Sequence, residues 1–268
     1  MGDPLKALVV GCGYMGKIHS ANLRKLGAEV YRFDVVKEKC ESYLENFAHP
    51  ADILVIATPI ETHYRIFSEL YEIHGNRGVY FIEKPVVENY GQFRKILETD
   101  ADIFVGHQLR YSRFYEMIRK EIEFSSFDVE MEIQSPSDPK AGLILDTGIH
   151  FVDLPIYYLG SPESFETRGK RNSFDLILHY SRGFCRIKGE LKDYYRIDFS
   201  VNGKKGVSDG ISMSFDGKEF RDLDFYFEEM KDVVLYAGGR KERPRISLES
   251  LMKTYELAFE IAEKMLIG

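Results

Sequence analysis

The sequence predicts an α/β protein that opens with a helix-flanked parallel sheet and continues into a mostly antiparallel one. Three observations carry this. Up to about Gly106, short apolar runs alternate with segments whose apolar residues recur at helical spacing, the pattern of strands joined by crossover helices. At the first turn from run to helix, Gly11, Gly13 and Gly16 form G-x-G-x-x-G. From about Phe127 the rhythm changes to alternating polar and apolar positions broken by turn signals, which suits antiparallel hairpins.

The first-half strands are Leu5–Val10, Val30–Phe33, Ile53–Ala57, Val79–Ile82 and Ile103–Val105. They are continuous apolar runs, as strands covered on both faces require. The helices between them fall at Lys17–Leu26, Lys37–Leu44, Glu61–Ile73 and Tyr90–Leu97. Only Glu45–Pro50 separates the second helix from the next strand, so a third strand at that point is expected to be missing or vestigial. In the second half, Phe127–Ile133, Phe174–Tyr180, Phe184–Leu191, Tyr195–Val201 and Ile211–Phe215 read as strands. Ser181-Arg182-Gly183, Asn202-Gly203 and Asp216-Gly217 supply the turns. Two helices close the chain, Phe225–Tyr236 and Leu248–Leu266, the second with Ser247 as its cap. The expected division is 1–106 and 107–268, without a flexible linker.

A chain of 268 residues, 44% hydrophobic and 29% charged, has the composition of a globular protein with a real core. Its net charge of −7 is spread along the chain, which points away from nucleic acid and anionic membranes as partners. Cys12, Cys40 and Cys185 are odd in number and scattered. They suggest neither a disulfide framework nor a metal site, so the expected compartment is reducing and cytoplasmic. Met1–Pro4 leads straight into the first strand, leaving no room for a signal peptide, and Ile53–Ile60 is too short to span a membrane.

The glycine motif gains its force from its place between strand and helix. Gly11 allows the tight turn, Gly13 lets backbone approach a pyrophosphate, and Gly16 lets the helix pack close to the strand. Free N–H groups at the helix start favour the phosphates. Asp34, at the end of the second strand, stands where an acidic residue takes the adenosine ribose hydroxyls. These residues predict a nicotinamide dinucleotide. Asp34 would repel a 2′-phosphate, which favours NAD; NADP is the alternative, because Lys37 and Lys39 lie near enough in sequence to meet that phosphate.

Two further groups stand out. Lys84 follows the strand Val79–Ile82, at the sheet edge where α/β proteins bind ligands. An amine there can bind a substrate hydroxyl and favour developing negative charge, although a solvated lysine is the simpler reading of the residues alone. Pro85 restricts Lys84 to extended geometry and leaves the isomer of their peptide bond open. Asp146 and His150 are spaced i,i+4 and share a face if helical. A histidine can take a hydroxyl proton near neutral pH beside an orienting carboxylate; a capping aspartate and an ordinary histidine are the alternative.

Five motifs occur in order: G-C-G-Y-M-G-K-I-H from Gly11, A-T-P-x-x-T-H-Y from Ala57, E-K-P from Glu83, V-G-H-Q-L-R-Y from Val105 and D-T-G-I-H-F-V-D-L from Asp146. Together with Ser247-Leu-Glu-Ser-Leu before the last helix, they resemble the Gfo/Idh/MocA oxidoreductases, over nearly the whole length. The resemblance implies an N-terminal Rossmann domain and a C-terminal α+β domain with an open, mostly antiparallel sheet. It implies that Gly11, Gly13, Tyr14, Met15, Gly16, Asp34, Thr58, Pro59, His63, Glu83 and Lys84 hold the dinucleotide. It further implies that His150 is the general base, with Lys84 and Asp146 positioning the substrate oxygen and Arg110 and Tyr111 facing the substrate. A helix cap is the alternative for Thr58, Pro59 and His63, and His107 reads as either structural or substrate-facing. Asp153 is expected to hold the helix or orient His150, and Pro155 to kink or restart that helix, while Cys12 and Cys185 fill space.

The implied reaction is NAD(P)-dependent hydride transfer to or from a secondary hydroxyl of a sugar, sugar derivative or cyclitol, with no metal. A reductase of a non-sugar carbonyl or imine, or a non-catalytic dinucleotide-binding regulator, is the alternative. The substrate pocket is expected around Ser135–Leu143 and the sheet face. The second half offers only two or three helices, too few to cover both faces of its sheet. A bare apolar face is therefore expected, pairing copies into a homodimer or homotetramer, with Ile187, Ile197 and Phe199 as candidates for one face or the other.

Overall fold

A computed structural model of the chain describes residues 3–36, 40, 50–122, 126–136, 142–210, 212–221 and 224–267. It forms two compact units: Met1–Gln108 with Phe225–Ser250, and Leu109–Asp224 with Leu251–Gly268. The chain thus leaves the first unit two residues after Gly106 and later returns to it.

The first unit is a parallel sheet of β1 (Lys6–Val10), β2 (Glu29–Phe33), β3 (Ile53–Ile56), β4 (Val79–Ile82) and β5 (Asp102–Val105), in the order β2-β1-β3-β4-β5. Its helices are α1 (Tyr14–Lys25), α2 (Ile60–His74) and α3 (Tyr90–Leu97). All four residues of β3 and of β4 are buried, which explains their unbroken apolar sequences. The predicted helix Lys37–Leu44 and the short segment Glu45–Pro50 lie almost entirely outside the described residues. After its excursion the chain adds Ile246–Ser247 beside β5: the Val105 N–H donates to the Ile246 carbonyl at 3.0 Å, and Phe104 bridges Ser247.

In the second unit, α4 (Arg113–Ile122) leads into β6 (Phe127–Ser135). A π turn at Ile144–Gly148 then runs into α5 (Ile149–Leu159). The remaining strands are β7 (Ser164–Lys170), β8 (Ser173–Tyr180), β9 (Gly183–Leu191), β10 (Arg196–Val201), β11 (Lys204–Ser208), β12 (Ser212–Phe215) and β13 (Lys218–Arg221). They form an eight-stranded sheet in the order β13-β12-β11-β10-β6-β9-β8-β7, antiparallel except where β6 runs parallel to β9. Asn202-Gly203 and Asp216-Gly217 turn two of its hairpins with positive φ at both residues, as type I′ turns require. β7, β11 and β13 escape the sequence reading. They carry few apolar residues and lie at or near the sheet edges.

Helix α6 (Phe225–Ala237) belongs to the first unit and packs on α1 and β4. Helix α7 (Leu248–Ile267) closes the chain. Ser247 caps it weakly, accepting from the Ser250 N–H at 3.4 Å. No helix among the described residues is long and apolar enough to cross a membrane.

The three residues named as candidates for one sheet face or the other share a covered one. Ile187, Ile197 and Phe199 all belong to the covered face, with Val129, Met131 and Cys185, and Phe114 of α4 packs edge-on against Phe199. The opposite face presents Glu130, Glu132, Arg186, Lys188, Asp198 and Lys205 around a shallow depression of about 420 Å³. Period-two alternation places most apolar side chains inward; Ile177, Phe184 and Val207 fall on the other face, among side chains of both charge signs.

Candidate active site

The glycine loop is built as its sequence demands. Gly11 has φ +96°, and a Cβ there would lie 2.4 Å from the Ala57 carbonyl oxygen. A Cβ on Gly16 would lie 1.8 Å from the Gly11 carbonyl oxygen, so α1 can approach β1 only with glycine at that point. Gly13 differs: a Cβ would meet nothing within 4 Å. The protein itself does not require glycine there, whereas a phosphate lying on the bare backbone would. Gly13 is also the N-cap of α1, with no side-chain cap and no acidic residue in the first turn. Uncapped N–H groups and the helix dipole at this point suit an anion.

Asp34 is buried and already anchored. Its Oδ2 accepts the Cys12 N–H at 2.8 Å and its Oδ1 accepts the Val36 N–H at 2.8 Å. A groove of about 890 Å³ runs past Asp34, its walls including Gly11, Gly13, Tyr14, Met15, Thr58, Pro59, Glu83 and Lys84. Of the expected dinucleotide residues, Gly16 and His63 do not line it. Val35, Val36, Thr62 and Arg65 do, and the sequence reading missed them. Val35 is 83% exposed and Tyr14 78% exposed, leaving apolar surface in the groove for a flat ring to cover. The donors, the acid and this apolar wall fit a dinucleotide. Lys37 and Lys39 lie outside the described residues.

One expectation about the cysteines is overturned. Cys12 and Cys40 form a disulfide, so Cys12 is not a space-filler. Their separation of 28 residues had hidden a spatial neighbourhood created by the return of β2 beside β1. Cys185 remains a free, buried thiol.

At the end of β4, the Glu83 N–H donates to the Ile56 carbonyl at 2.9 Å, extending the sheet to the E-K-P turn. The Lys84–Pro85 peptide bond is cis. Glu83 Oε1 meets His19 Nε2 of α1 at 2.5 Å, and the carboxylate also packs against Gly106, where a Cβ would lie 3.0 Å away. Burial alone would raise the Glu83 pKa. The His19 hydrogen bond, with the charges of His19, Lys84 and His63, outweighs it and holds the group below its ordinary value. His63 is buried between the Pro85 carbonyl, 3.0 Å from Nδ1, and the Thr58 carbonyl, 2.7 Å from Nε2. Contrary to expectation it braces two loops instead of lining the groove. Burial lowers its pKa, although both carbonyls oppose that shift. His107 is buried, with its own N–H held by the Val105 carbonyl at 2.7 Å.

Behind Glu83 lies a residue the sequence reading passed over. Glu229 of α6 is fully buried; neither carboxyl oxygen has a close side-chain partner among the described residues, and only the His107 backbone N–H favours its ionised form. Burial first, and then the Glu83 charge, push its pKa well above the ordinary carboxylate value. Burial thus favours the protonated form of Glu229, beside a Glu83 held toward its ionised form. No local pattern marks it, since an acidic residue in an amphipathic helix normally faces water.

In the second unit, Asp146 sits in the π turn and His150 is the second residue of α5, buried. The π turn is tied to the sheet by Ser135 Oγ, 2.9 Å from Thr147 Oγ1, and by Gly148, where a Cβ would lie 3.0 Å from the Phe174 ring. Such turns recur at functional sites because they re-aim side chains. They also change the i,i+4 geometry assumed for Asp146 and His150. Helix α5 continues through Pro155 to Leu159, so the expected restart lies earlier, at the π turn.

Arg110 was expected to face a substrate and instead is buried. Its guanidinium forks onto Asp153, with Nε to Oδ2 at 2.8 Å and Nη2 to Oδ1 at 2.6 Å. Thr254 donates to the same Oδ1 at 2.7 Å, and Tyr157 lies 4.4 Å from the guanidinium carbon. Asp153 thus holds the helix that carries His150, one of its two expected roles. Tyr111 ends the short 3₁₀ turn Gln108–Tyr111 and is half-buried. Of the expected pocket segment Ser135–Leu143, residues 137–141 lie outside the described residues.

No protein-family model and no curated protein sequence matches the chain. Solved structures do match its fold along nearly the whole length. A UDP-N-acetylglucosamine 3-dehydrogenase from Acidithiobacillus ferrooxidans has a TM-score of 0.77 at 15% identity, covering 98% of both chains. The MviM dehydrogenase from Clostridium difficile has a TM-score of 0.75 at 13% identity, covering 98% of this chain and all of the other (100%). The WlbA dehydrogenase from Thermus thermophilus, solved with NAD and UDP-GlcNAcA, has a TM-score of 0.72 at 16% identity, covering 96% of this chain and 94% of that one. The chain has the two-domain fold of these dehydrogenases, with a Rossmann-type sheet and a larger, mostly antiparallel one.

Proposed function

We propose that the chain is a Gfo/Idh/MocA-type oxidoreductase that moves a hydride between a nicotinamide dinucleotide and a secondary hydroxyl or keto group of a sugar, sugar derivative or cyclitol. The observation that carries this reading is the bare backbone at Gly13, facing open space at the uncapped start of α1, in one groove with Asp34 and Lys84. The dehydrogenase folds it matches, one of them holding NAD and a nucleotide sugar, support the same reaction class.

A bound dinucleotide would supply the hydride acceptor or donor. The N–H groups of the Gly13–Met15 turn hold its pyrophosphate, and Asp34 takes the adenosine ribose hydroxyls. Because Asp34 would also repel a 2′-phosphate, NAD is the favoured form. On the substrate, His150 takes the hydroxyl proton, Lys84 hydrogen-bonds the oxygen as its charge grows, and Asp146 accepts from the substrate hydroxyls. Arg110 and Asp153 hold α5, and so the histidine, in place.

The test is direct. Purified chain is mixed with NAD or NADP and a panel of polyols, cyclitols and nucleotide sugars, and reduced nicotinamide is read by its absorbance. No turnover with any member of the panel, together with tight dinucleotide binding, would turn the reading toward a regulator. Pairing into a homodimer or homotetramer through the open face of the second sheet belongs to this proposal. It would rest on charge complementarity there, and light scattering showing a 31 kDa species at high and low salt would end it. A cytoplasmic location is part of the same reading, and in that compartment a Cys12–Cys40 bond would be reversible.

A further inference from the structure

We propose that Arg65, held in place by Glu69, is the side chain that covers the base of the dinucleotide, and so sets the preference for a purine at that end of the groove. This role rests on the dinucleotide reading of the groove. Neither residue belongs to the motifs of the sequence, since the A-T-P-x-x-T-H-Y run ends at Tyr64.

The order of the sheet places the base. β1, which leads into the glycine loop, lies between β2 and β3, so the segments that follow β2 and β3 flank that loop. With the pyrophosphate at Gly13 and the ribose at Asp34, the base joined to that ribose lies beyond Asp34, between those two segments. One wall there is Val35 and Val36, both exposed. The other is α2, which sends Thr62, Arg65, Ile66 and Glu69 to the groove. Their spacing of i, i+3, i+4 and i+7 is a single helix face.

Along that face the side chains differ in what they can still do. Ile66 is buried and adds apolar contact. Thr62 Oγ1 lies 2.7 Å from both Thr58 Oγ1 and the Pro59 carbonyl, so its hydroxyl braces the loop and is already engaged. Arg65 and Glu69 are partly exposed, at 63% and 43% of their side chains, and Arg65 Nη1 donates to Glu69 Oε1 at 2.7 Å. On an open surface such a pair would matter little. Here it stands in the wall of a groove. A hydrogen bond in the guanidinium plane fixes the edge of the group and leaves its faces bare. A bare guanidinium face is attracted to the π face of a nucleobase, and the larger purine gives it more to cover than a pyrimidine does. Because Glu69 already restrains the side chain, Arg65 has less freedom to lose when the base arrives. Glu69 also offsets the arginine charge, which suits the pair to a neutral base better than to a phosphate.

The test is calorimetry of the full chain with three ligands: NAD, ADP-ribose, which lacks the nicotinamide, and nicotinamide cytosine dinucleotide, which carries a pyrimidine in place of adenine. R65A should weaken NAD and ADP-ribose by a common factor of about five to ten. It should weaken the cytosine dinucleotide less, so the preference of the parent chain for NAD narrows. R65K keeps the charge without the planar face and should bind as R65A does, and the R65A loss should persist in about 0.5 M KCl, where a phosphate contact would fade. E69Q should weaken NAD about twofold by loosening the guanidinium. The double variant R65A/E69Q should be no weaker than R65A, because Glu69 acts through Arg65. Thermal midpoints should stay near the parent's, since both side chains are partly exposed, and this separates a binding role from misfolding. Parent-like NAD binding by R65A, an unchanged preference over the cytosine dinucleotide, or full rescue by R65K would overturn the role of Arg65 and leave the dinucleotide reading standing. If the parent chain binds none of NAD, NADP and ADP-ribose, the dinucleotide reading itself falls.

Discussion

His19 and Glu83 meet at 2.5 Å in the interior of the first unit, the imidazole fully buried and the carboxylate backing directly onto the E-K-P turn. A buried pair of this kind is costly to break from one side, because the remaining charge loses its partner. His19→Ala should therefore destabilise the chain by about 3 kcal/mol, read as a urea midpoint shift. It should also weaken dinucleotide binding through the displaced Lys84 backbone. Glu83 is held below its ordinary value of 4.5, so its contribution is present above that pH and is lost as pH falls through the folded-state value. A stability curve of His19→Ala that still falls with the same steepness below pH 4.5 would count against the pair as its source.

Glu229 has the opposite sign. Its folded-state pKa is raised, so the folded chain keeps a proton that the unfolded chain releases above pH 4.5. Its stabilising contribution is complete below that pH and declines as pH rises through the folded value. Glu229→Gln keeps the shape and removes the titration. The variant should match the parent near pH 4 and exceed it in thermal midpoint at pH 8. Equal midpoints at pH 8 would mean that Glu229 finds a partner in solution.

Asp34 should set the cofactor preference. The parent chain should bind NAD more tightly than NADP, and Asp34→Ala should narrow the gap by removing repulsion of the 2′-phosphate. Rising salt should narrow it too. Calorimetry that finds tighter NADP binding to the parent chain would reassign the role of Asp34 to anchoring the Cys12 and Val36 N–H groups alone.

His150 should carry proton transfer. His150→Ala should lower turnover by roughly 10² to 10⁴ while leaving the dinucleotide Kd nearly unchanged. In alcohol oxidation, kcat/KM of the parent should rise with pH through an inflection near neutrality, and the variant should lose it. A variant with the parent's rate and pH profile would pass the role to Lys84 or Asp146.

How much of this was legible depended on the range of the forces involved. The glycine positions were readable because each answers a steric demand set by neighbours in the same turn, as with Gly16 against the Gly11 carbonyl. Asn202-Gly203 and Asp216-Gly217 were readable for the same reason. The Arg110–Asp153 fork was not, because its partners lie 43 residues apart and a charged side chain gives no local sign of burial. The Cys12–Cys40 bond and the buried Glu229 failed alike: each depends on which element packs beside which. Which face of the second sheet Ile187 and Phe199 take was left open by the sequence, because period-two alternation alone does not say which side a helix covers; both fall on the face against which Phe114 of α4 packs.

The return of residues 225–250 to the first unit puts a clock on its assembly. A ribosome that has finished β5 must add more than a hundred residues before α6, with Glu229, can be laid against α1 and before Ile246–Ser247 can line the sheet edge. At roughly 5–20 residues per second that interval is on the order of ten seconds. Throughout it the N-terminal half is an unfinished sheet with an open rim, a natural client for a holding chaperone.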